Sequence, residues 1–305
     1  MKISSIGAPV ALLAAAALTL SACAANETAN PGTGGTGTAA ASTLAGKGAS
    51  SMSAAQQKWI ADYQSAHPGV TINYSPDGSG AGREAFISGA VQYAGSDRPF
   101  KDEELGKGKF GECTAESNAL DLPIYVSPIA VIFNVDGVKN LKLDPDTLAG
   151  IFAGKITKWN DPKIVATNPD VTLPDANITA VHRSDDSGTT ENFTAYLTEA
   201  AGDAWSYDEV ETWPSDITAE SAQGTKGVVG LASQTEGAIT YADASAVGEL
   251  GTVSVKVGEE YVKYSAEAAA ATGDAVTAEN ADSTGEAPAA PAKRVRKAPT
   301  PGSSS

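Results

Sequence analysis

Residues 180–191 read Ala-Val-His-Arg-Ser-Asp-Asp-Ser-Gly-Thr-Thr-Glu. The run sets an arginine, two aspartates and several hydroxyls around one glycine, between an apolar stretch and a helical one. If a helix starts at the glycine, the amides of Ser187, Gly188 and Thr189 are first-turn donors without an intrahelical acceptor. Such a turn attracts anions, because the amides point outward and the helix dipole is positive there. Arg183 adds a planar fork that suits a tetrahedral oxyanion. Asp185, two residues on, is placed to pair with Arg183 and hold its rotamer. An ordinary capped helix beside a surface ion pair uses the same residues, so this run alone leaves both readings open. His182, Asp185 and Ser187 also contain the residue types of a hydrolytic triad. Adjacent residues on one turn, however, cannot easily set a base between an acid and a nucleophile.

The elements that must position this run follow an alternating pattern. Residues 178–181 are apolar enough for a buried strand, and Phe193, Tyr196, Leu197, Ala200 and Ala201 recur at helical spacing after it. Earlier, Gly46-Lys47-Gly48-Ala49-Ser50-Ser51 precedes a helical stripe of Met52, Ala55, Trp59 and Tyr63, with Ser50 or Ser51 as the expected cap. Residues 70–74 read as a strand, followed by the small-residue run 78–82 and a helix with Phe86, Ile87, Ala90 and Val91 on one face. Small hydroxyl residues and glycines thus recur at helix starts. In open α/β sheets ligands sit at the carboxyl ends of strands, where such turns gather.

Gly95-Ser96-Asp97-Arg98 follows a further short strand. A carboxylate near an anion site makes sense if the anion carries a proton. Monohydrogen or dihydrogen phosphate can donate to Asp97, and fully ionised sulfate cannot. Unpaired charge against charge in a dry cleft costs several kcal/mol, so one acceptor discriminates strongly. A surface pair of Asp97 with Arg98 is the plainer alternative.

The middle of the chain is a second α/β unit. Residues 122–135 carry two apolar strand segments around Ser127-Pro128. Leu148, Ile151 and Phe152 lie on a helix, and residues 154–162 form a loop or short turn. A Gly-rich turn at 224–230 precedes a short helix, a strand occupies 238–241, and 253–257 with 261–264 form a hairpin.

Composition narrows the function further. The chain has 305 residues, a formal charge of −16 and a pI of about 4.5. That excludes nucleic acid as a partner, because its binding needs a basic face. It leaves a small anion open, since salt screens distant carboxylates within about 8 Å. At the N-terminus, Met1-Lys2 is followed by an apolar run, residues 8–20, too short to span a bilayer. It ends in Leu20-Ser21-Ala22-Cys23, which resembles the bacterial lipobox and implies cleavage before Cys23 and lipid on its sulfur. Cys113 is then an unpaired cysteine. Residues 24–45, rich in Asn, Thr, Gly, Ala and Ser, read as a flexible tether.

Taken in order, the lipobox, residues 46–50 before a Trp-bearing helix, 74–82, Gly95-Ser96-Asp97-Arg98-Pro99, 151–162, 183–189 and 236–242 carry a resemblance. The chain resembles the substrate-binding lipoproteins of bacterial high-affinity phosphate ABC transporters, over roughly residues 44–276. The resemblance implies an α/β, two-domain periplasmic-binding-protein type (class II) fold that closes on inorganic phosphate. It also implies delivery to the permease subunits from the extracytoplasmic face, with no catalysis, cofactor or metal. Carried over residue by residue, the ligands are Ser50 and Ser51 (amides, with the Ser50 hydroxyl), Ser79, Asp97, Arg183, Ser187, Gly188 and Thr189, and Asp185 orients Arg183. Many members carry a bulky residue where this chain has Ser51; an amide donor survives that change.

The expected organisation is a signal peptide and lipobox (1–23), a tether (24–45), the first domain (46–124), the second domain (125–250), a return segment toward the first domain (251–276) and an atypical disordered tail (277–305). Members of the family return to the first domain with a further strand and helices. Here Ala, Pro, Glu, Ser and Thr dominate after Val276, so the first domain is expected to lack its C-terminal portion and to be short of core. The competing functions are a binding protein for sulfate or molybdate, a phosphate-ester hydrolase, and a surface antigen without a small ligand.

Overall fold

The computed structural model describes residues 42–106 and 108–270. Two sheets organise them. The smaller is built from β1 (Ser42–Gly48), β2 (Val70–Ser75) and β3 (Tyr93–Gly95), all parallel in the order β2-β1-β3. Parallel neighbours need crossovers, and α1 (Ser53–Ala66) and α2 (Ser79–Ile87) supply them. Glycines let these pieces meet closely. A Cβ on Gly82 of α2 would lie 2.6 Å from the Gly48 Cα, so helix and strand end touch backbone to backbone. Phe86, Phe100 and Phe110 form the aromatic cluster of this lobe, with ring centroids 5.4–6.2 Å apart.

The larger sheet is mixed. Its strands are β4 (Ile129–Phe133), β5 (Asn140–Leu143), β6 (Thr179–Arg183), β7 (Glu220–Ala222), β8 (Ala238–Asp243), β9 (Gly251–Val257) and β10 (Glu260–Val262). The path runs β10-β9-β4-β8-β6-β7, and β5 pairs with β9. All six residues of β8 are buried, as expected of a strand covered on both faces. The helices are α3 (Pro145–Phe152), α4 (Pro162–Thr167), α5 (Gly188–Ala200) and α6 (Gly224–Gln234). α3 and α4 start as local rules dictate. Asp144 caps α3 by accepting from the Thr147 amide at 2.7 Å, Asp161 caps α4 from Lys163, and a proline follows each cap. The core joins Phe133, Phe152, Trp159, Phe193, Leu197, Trp213 and Tyr241. Each such side chain contributes roughly 1.5–3 kcal/mol by leaving water.

Among the described residues the chain crosses from the smaller sheet to the larger once, through 96–128. Several expectations change here. Residues 42–45, read as the end of the tether, belong to β1, where they pair with β2. Residues 251–262, read as part of a return segment, stay in the larger sheet, because β9 finds partners in β4, β5 and β10. Of the two strand segments expected in 122–135 only the second forms; residues 122–126 are in neither sheet, and Leu122, Ile124 and Val126 are exposed. The glycine run at 224–230 lies inside α6 itself. Neither Ser50 nor Ser51 caps α1, whose N-cap is Met52 without a side-chain bond. Cys23, residues 24–41 and the tail 277–305 lie outside the described residues.

Candidate functional site

The carboxyl ends of the strands bring four helix starts together. β1 leads to Ser50 and Ser51 before α1, β2 leads to Ser79 at the start of α2, and β6 leads through Arg183 to α5. The fourth start, that of α6, follows β7. Between them lies Asp97, just after β3.

At α5, Ser187 is the N-cap: its extended backbone leaves the helix, and its Oγ accepts from the Thr190 amide at 3.1 Å. Its own amide donates to the Glu211 carbonyl at 3.2 Å. The expectation of three free amides is therefore reduced by one, because a distant loop takes the Ser187 donor. Among the described residues the Gly188 and Thr189 amides have no acceptor, as the first turn of a helix requires. A Cβ on Gly188 would stand 2.7 Å from the Asp97 Cβ and 2.8 Å from Ser79 Oγ, so no other residue fits there without a shift.

Asp97 is partly buried and receives hydroxyls from both lobes. Ser51 Oγ donates to Oδ1 at 2.6 Å and Thr189 Oγ1 to Oδ2 at 2.8 Å, while the Asp97 amide donates to Ser79 Oγ at 3.2 Å. Burial pushes its carboxyl above the usual range; the two hydroxyls and the nearby Arg183 guanidinium offset this only in part. The suggested surface pair with Arg98 does not form, since Arg98 turns to Glu104, Glu191 and Glu211.

Arg183 is 3% exposed. It pairs bidentately with Asp185, Nε to Oδ1 at 2.7 Å and Nη2 to Oδ2. Burial would raise the Asp185 carboxyl, but Arg183 and the Gly224 amide, which donates to Oδ1 at 3.0 Å, hold it below the ordinary range. Asp185 thus stays ionised and fixes the guanidinium, as the spacing suggests.

Sequence reasoning missed the groups that hold these pieces in place. Thr225 at the start of α6 donates its amide to Ser50 Oγ at 2.9 Å, with its hydroxyl 3.1 Å from the same atom. The Gly80 amide of α2 donates to the Asp186 carbonyl at 3.2 Å. Tyr241 on β8 takes the Arg183 amide at 3.3 Å and lies 2.7 Å from Thr190 Oγ1, with its phenol pushed up to about 12 mainly by burial. The glycine before Thr225 was a usable signal for a helix start. Nothing local marks Tyr241. His182 is set apart from this chemistry: its Nδ1 meets the Arg183 carbonyl at 2.8 Å and its ring stacks on Trp213 at 5.1 Å. Cys113 is a free thiol of intermediate exposure.

The arrangement concentrates hydroxyls, first-turn amides and one fixed guanidinium around the partly buried Asp97 carboxylate. It can hold a small oxyanion that also has a hydrogen to give. A model of the PBP superfamily domain matches residues 33–295. The phosphate-binding protein PstS 3 of Mycobacterium tuberculosis is 39% identical over 248 residues, which cover 79% of this chain and 66% of that protein. The phosphate-binding protein PstS of Methanocaldococcus jannaschii is 39% identical over 199 residues, 62% of this chain and 50% of that one. This chain therefore spans just under two thirds of the length of the mycobacterial relatives, and half that of the archaeal one. A crystal structure from Clostridium perfringens, described as a putative phosphate ABC transporter substrate-binding protein with bound phosphate, superposes with a TM-score of 0.57 at 22% identity. The match covers 76% of this chain and 81% of that one, and it bears on the fold alone.

Proposed function

We propose that this chain, which belongs to the PBP superfamily, binds inorganic phosphate between its two lobes outside the cytoplasm. In this reading it delivers the ion to the permease subunits of an ABC transporter, held to the membrane by lipid on Cys23. The two lobes are the domains that close on the ion, one around the smaller sheet and one around the larger. The ligands are Ser50, Ser51, Ser79, Asp97, Arg183, Ser187, Gly188 and Thr189, with Asp185 as the positioning carboxylate. Ser187 acts through its hydroxyl, because its amide is engaged by Glu211.

The observation that carries this reading is Asp97. A partly buried carboxylate between helix starts and beside Arg183 repels an anion with no proton, and accepts from one that has a proton. That favours phosphate over sulfate or molybdate. The named relatives, phosphate-binding proteins from a bacterium and an archaeon, support the same ligand. Binding is favoured over ester hydrolysis because Asp185 is committed to Arg183 and Gly224, while His182 is stacked on Trp213 with Nδ1 at a carbonyl. Neither is placed to activate Ser187.

The test is calorimetric titration of phosphate and then sulfate into protein lacking residues 1–23, stripped of bound ligand. Saturable phosphate heat with none from sulfate is the expected result. Hydrolysis of a phosphomonoester that disappears with Ser187→Ala would overturn the reading in favour of an enzyme.

A further inference from the structure

Beside the candidate ligand residues, the two lobes meet through a second cluster, made of charged residues that the anion site does not use. Arg83 on α2 belongs to the smaller-sheet lobe, and Arg98 and Glu104 lie in the start of the passage, which packs on that lobe through Phe100 against Phe86. Glu191 in the first turn of α5 and Glu211 in the loop beyond α5 belong to the larger. Arg83 Nη2 donates to both Glu211 carboxylate oxygens at 2.6 Å. Arg98 Nη2 lies 3.2 Å from Glu211 Oε2, and Arg98 Nε lies 3.1 Å from Glu191 Oε2. Glu104 braces both arginines from their own lobe, at 2.6 Å from Arg98 Nη1 and 3.5 Å from Arg83 Nε. The arginine side chains are 5% and 9% exposed, so the pairs are formed largely out of water.

Three features give this cluster a task. First, within the described residues the lobes are joined by one passage, 96–128, and contacts across the cleft add to it. Second, Glu211 serves both sides of the arrangement: its carbonyl takes the Ser187 amide at the anion-binding turn, and its carboxylate takes the arginines of the other lobe. Third, buried charges left without partners are strongly unfavourable, while paired ones roughly offset their own desolvation. Opening the cleft must pull Arg83 and Arg98 from Glu211 and Glu191 before water reaches the four charges, so the cost falls on the opening step.

We propose that the Arg83–Arg98–Glu104–Glu191–Glu211 cluster is an electrostatic latch that holds the lobes closed and sets how fast a bound anion leaves. The proposal rests on the binding reading above for its kinetic part and on the lobe contacts alone for its conformational part. The latch belongs to the closed state only, so it acts on release more than on capture. It also resists added salt better than an exposed pair would.

Glu211→Gln tests it, since glutamine keeps the size and the backbone carbonyl while removing the charge. Exposed Glu209→Gln controls for net charge. Stopped-flow measurement of phosphate release should show at least a tenfold faster rate in Glu211→Gln, an association rate within about twofold, and no change in Glu209→Gln. In ligand-free protein, spin labels introduced by Glu84→Cys and Glu199→Cys in a Cys113→Ser background should show a wider distance distribution once Glu211→Gln is added. Arg98→Lys, which keeps the charge and loses the fork, should fall between and covers the case in which Glu211→Gln does not fold. Unchanged release together with an unchanged distance distribution in these variants overturns the latch. If the wild-type protein takes up no phosphate, the function proposed above fails, and the label distances still decide the latch by themselves.

Discussion

Replacing Asp97 by asparagine separates recognition of a proton from recognition of a charge. In the wild type both carboxylate oxygens are acceptors, engaged by Ser51 at 2.6 Å and Thr189 at 2.8 Å, and ionised Asp97 has no hydrogen to give. The asparagine amide has one acceptor and turns a donor toward whatever stood at the other oxygen. A phosphate hydroxyl that donated to Asp97 would lose a charge-assisted bond, about 1.5–3 kcal/mol, or roughly 10- to 150-fold in affinity. Sulfate moves the other way, because the repelling charge is gone and a donor replaces it. Stability supplies an internal control. Burial raises the folded carboxyl above its ordinary value of 3.8, so the folded state holds its proton more readily than the unfolded one. Stability from this group is present below the unfolded value and is lost as pH rises through the raised one. At neutral pH Asp97→Asn therefore removes a partly buried charge and should unfold no earlier than the wild type. Paired calorimetry with phosphate and sulfate, with a melt at pH 7, checks all three statements. A folded variant that binds phosphate as before and sulfate no better would refute the reasoning about the proton.

Arg183→Ala should abolish measurable phosphate heat and lower stability by about 3–5 kcal/mol, because Asp185 is left as an uncompensated, largely buried carboxylate; urea unfolding measures this. Gly188→Ala drives a methyl against Asp97 and Ser79 at under 3 Å, so titration should show weakened binding while the circular dichroism spectrum is retained. Glu104, held down to about 2 as Arg98 and the Lys101 amide outweigh its burial, should contribute stability that is complete above pH 4.5 and lost as pH falls from 4.5 toward 2. Melting midpoints of wild type and Glu104→Gln across that window should converge at its acid end.

Much of the local structure was legible because it depends on near neighbours. The helix carrying Leu148, Ile151 and Phe152, the strand through residues 179–181 and the helix after Gly188 follow from apolar spacing and small-residue starts within a few residues, whereas α4, begun by Asp161 and Pro162, was not expected. The pairing of Arg183 with Asp185 spans two positions on one turn, and the structure contains it. Other readings failed where a partner elsewhere in the chain outbid the local preference. Ser50 was expected to cap its own helix, and its hydroxyl instead takes the Thr225 amide, 175 residues away. Ser51, an alternative cap, is drawn to Asp97. The 251–262 hairpin was expected to leave the second unit, yet β9 completes the larger sheet between β4 and β5.

What the sequence by itself determined is the chemical inventory: helix starts rich in small donors, one arginine with its carboxylate, one further aspartate and an acidic chain unsuited to nucleic acid. These are properties of residue type and short spacing, where period and capping act directly. Only the tertiary structure decided which donors remain available and which charges share a space. The Thr189–Asp97 bond closes over 92 residues and the Arg83–Glu211 pair over 128. Contacts of that span leave no period in the chain. They arise when two sheets, each satisfying its own backbone, bring the open ends of their strands face to face.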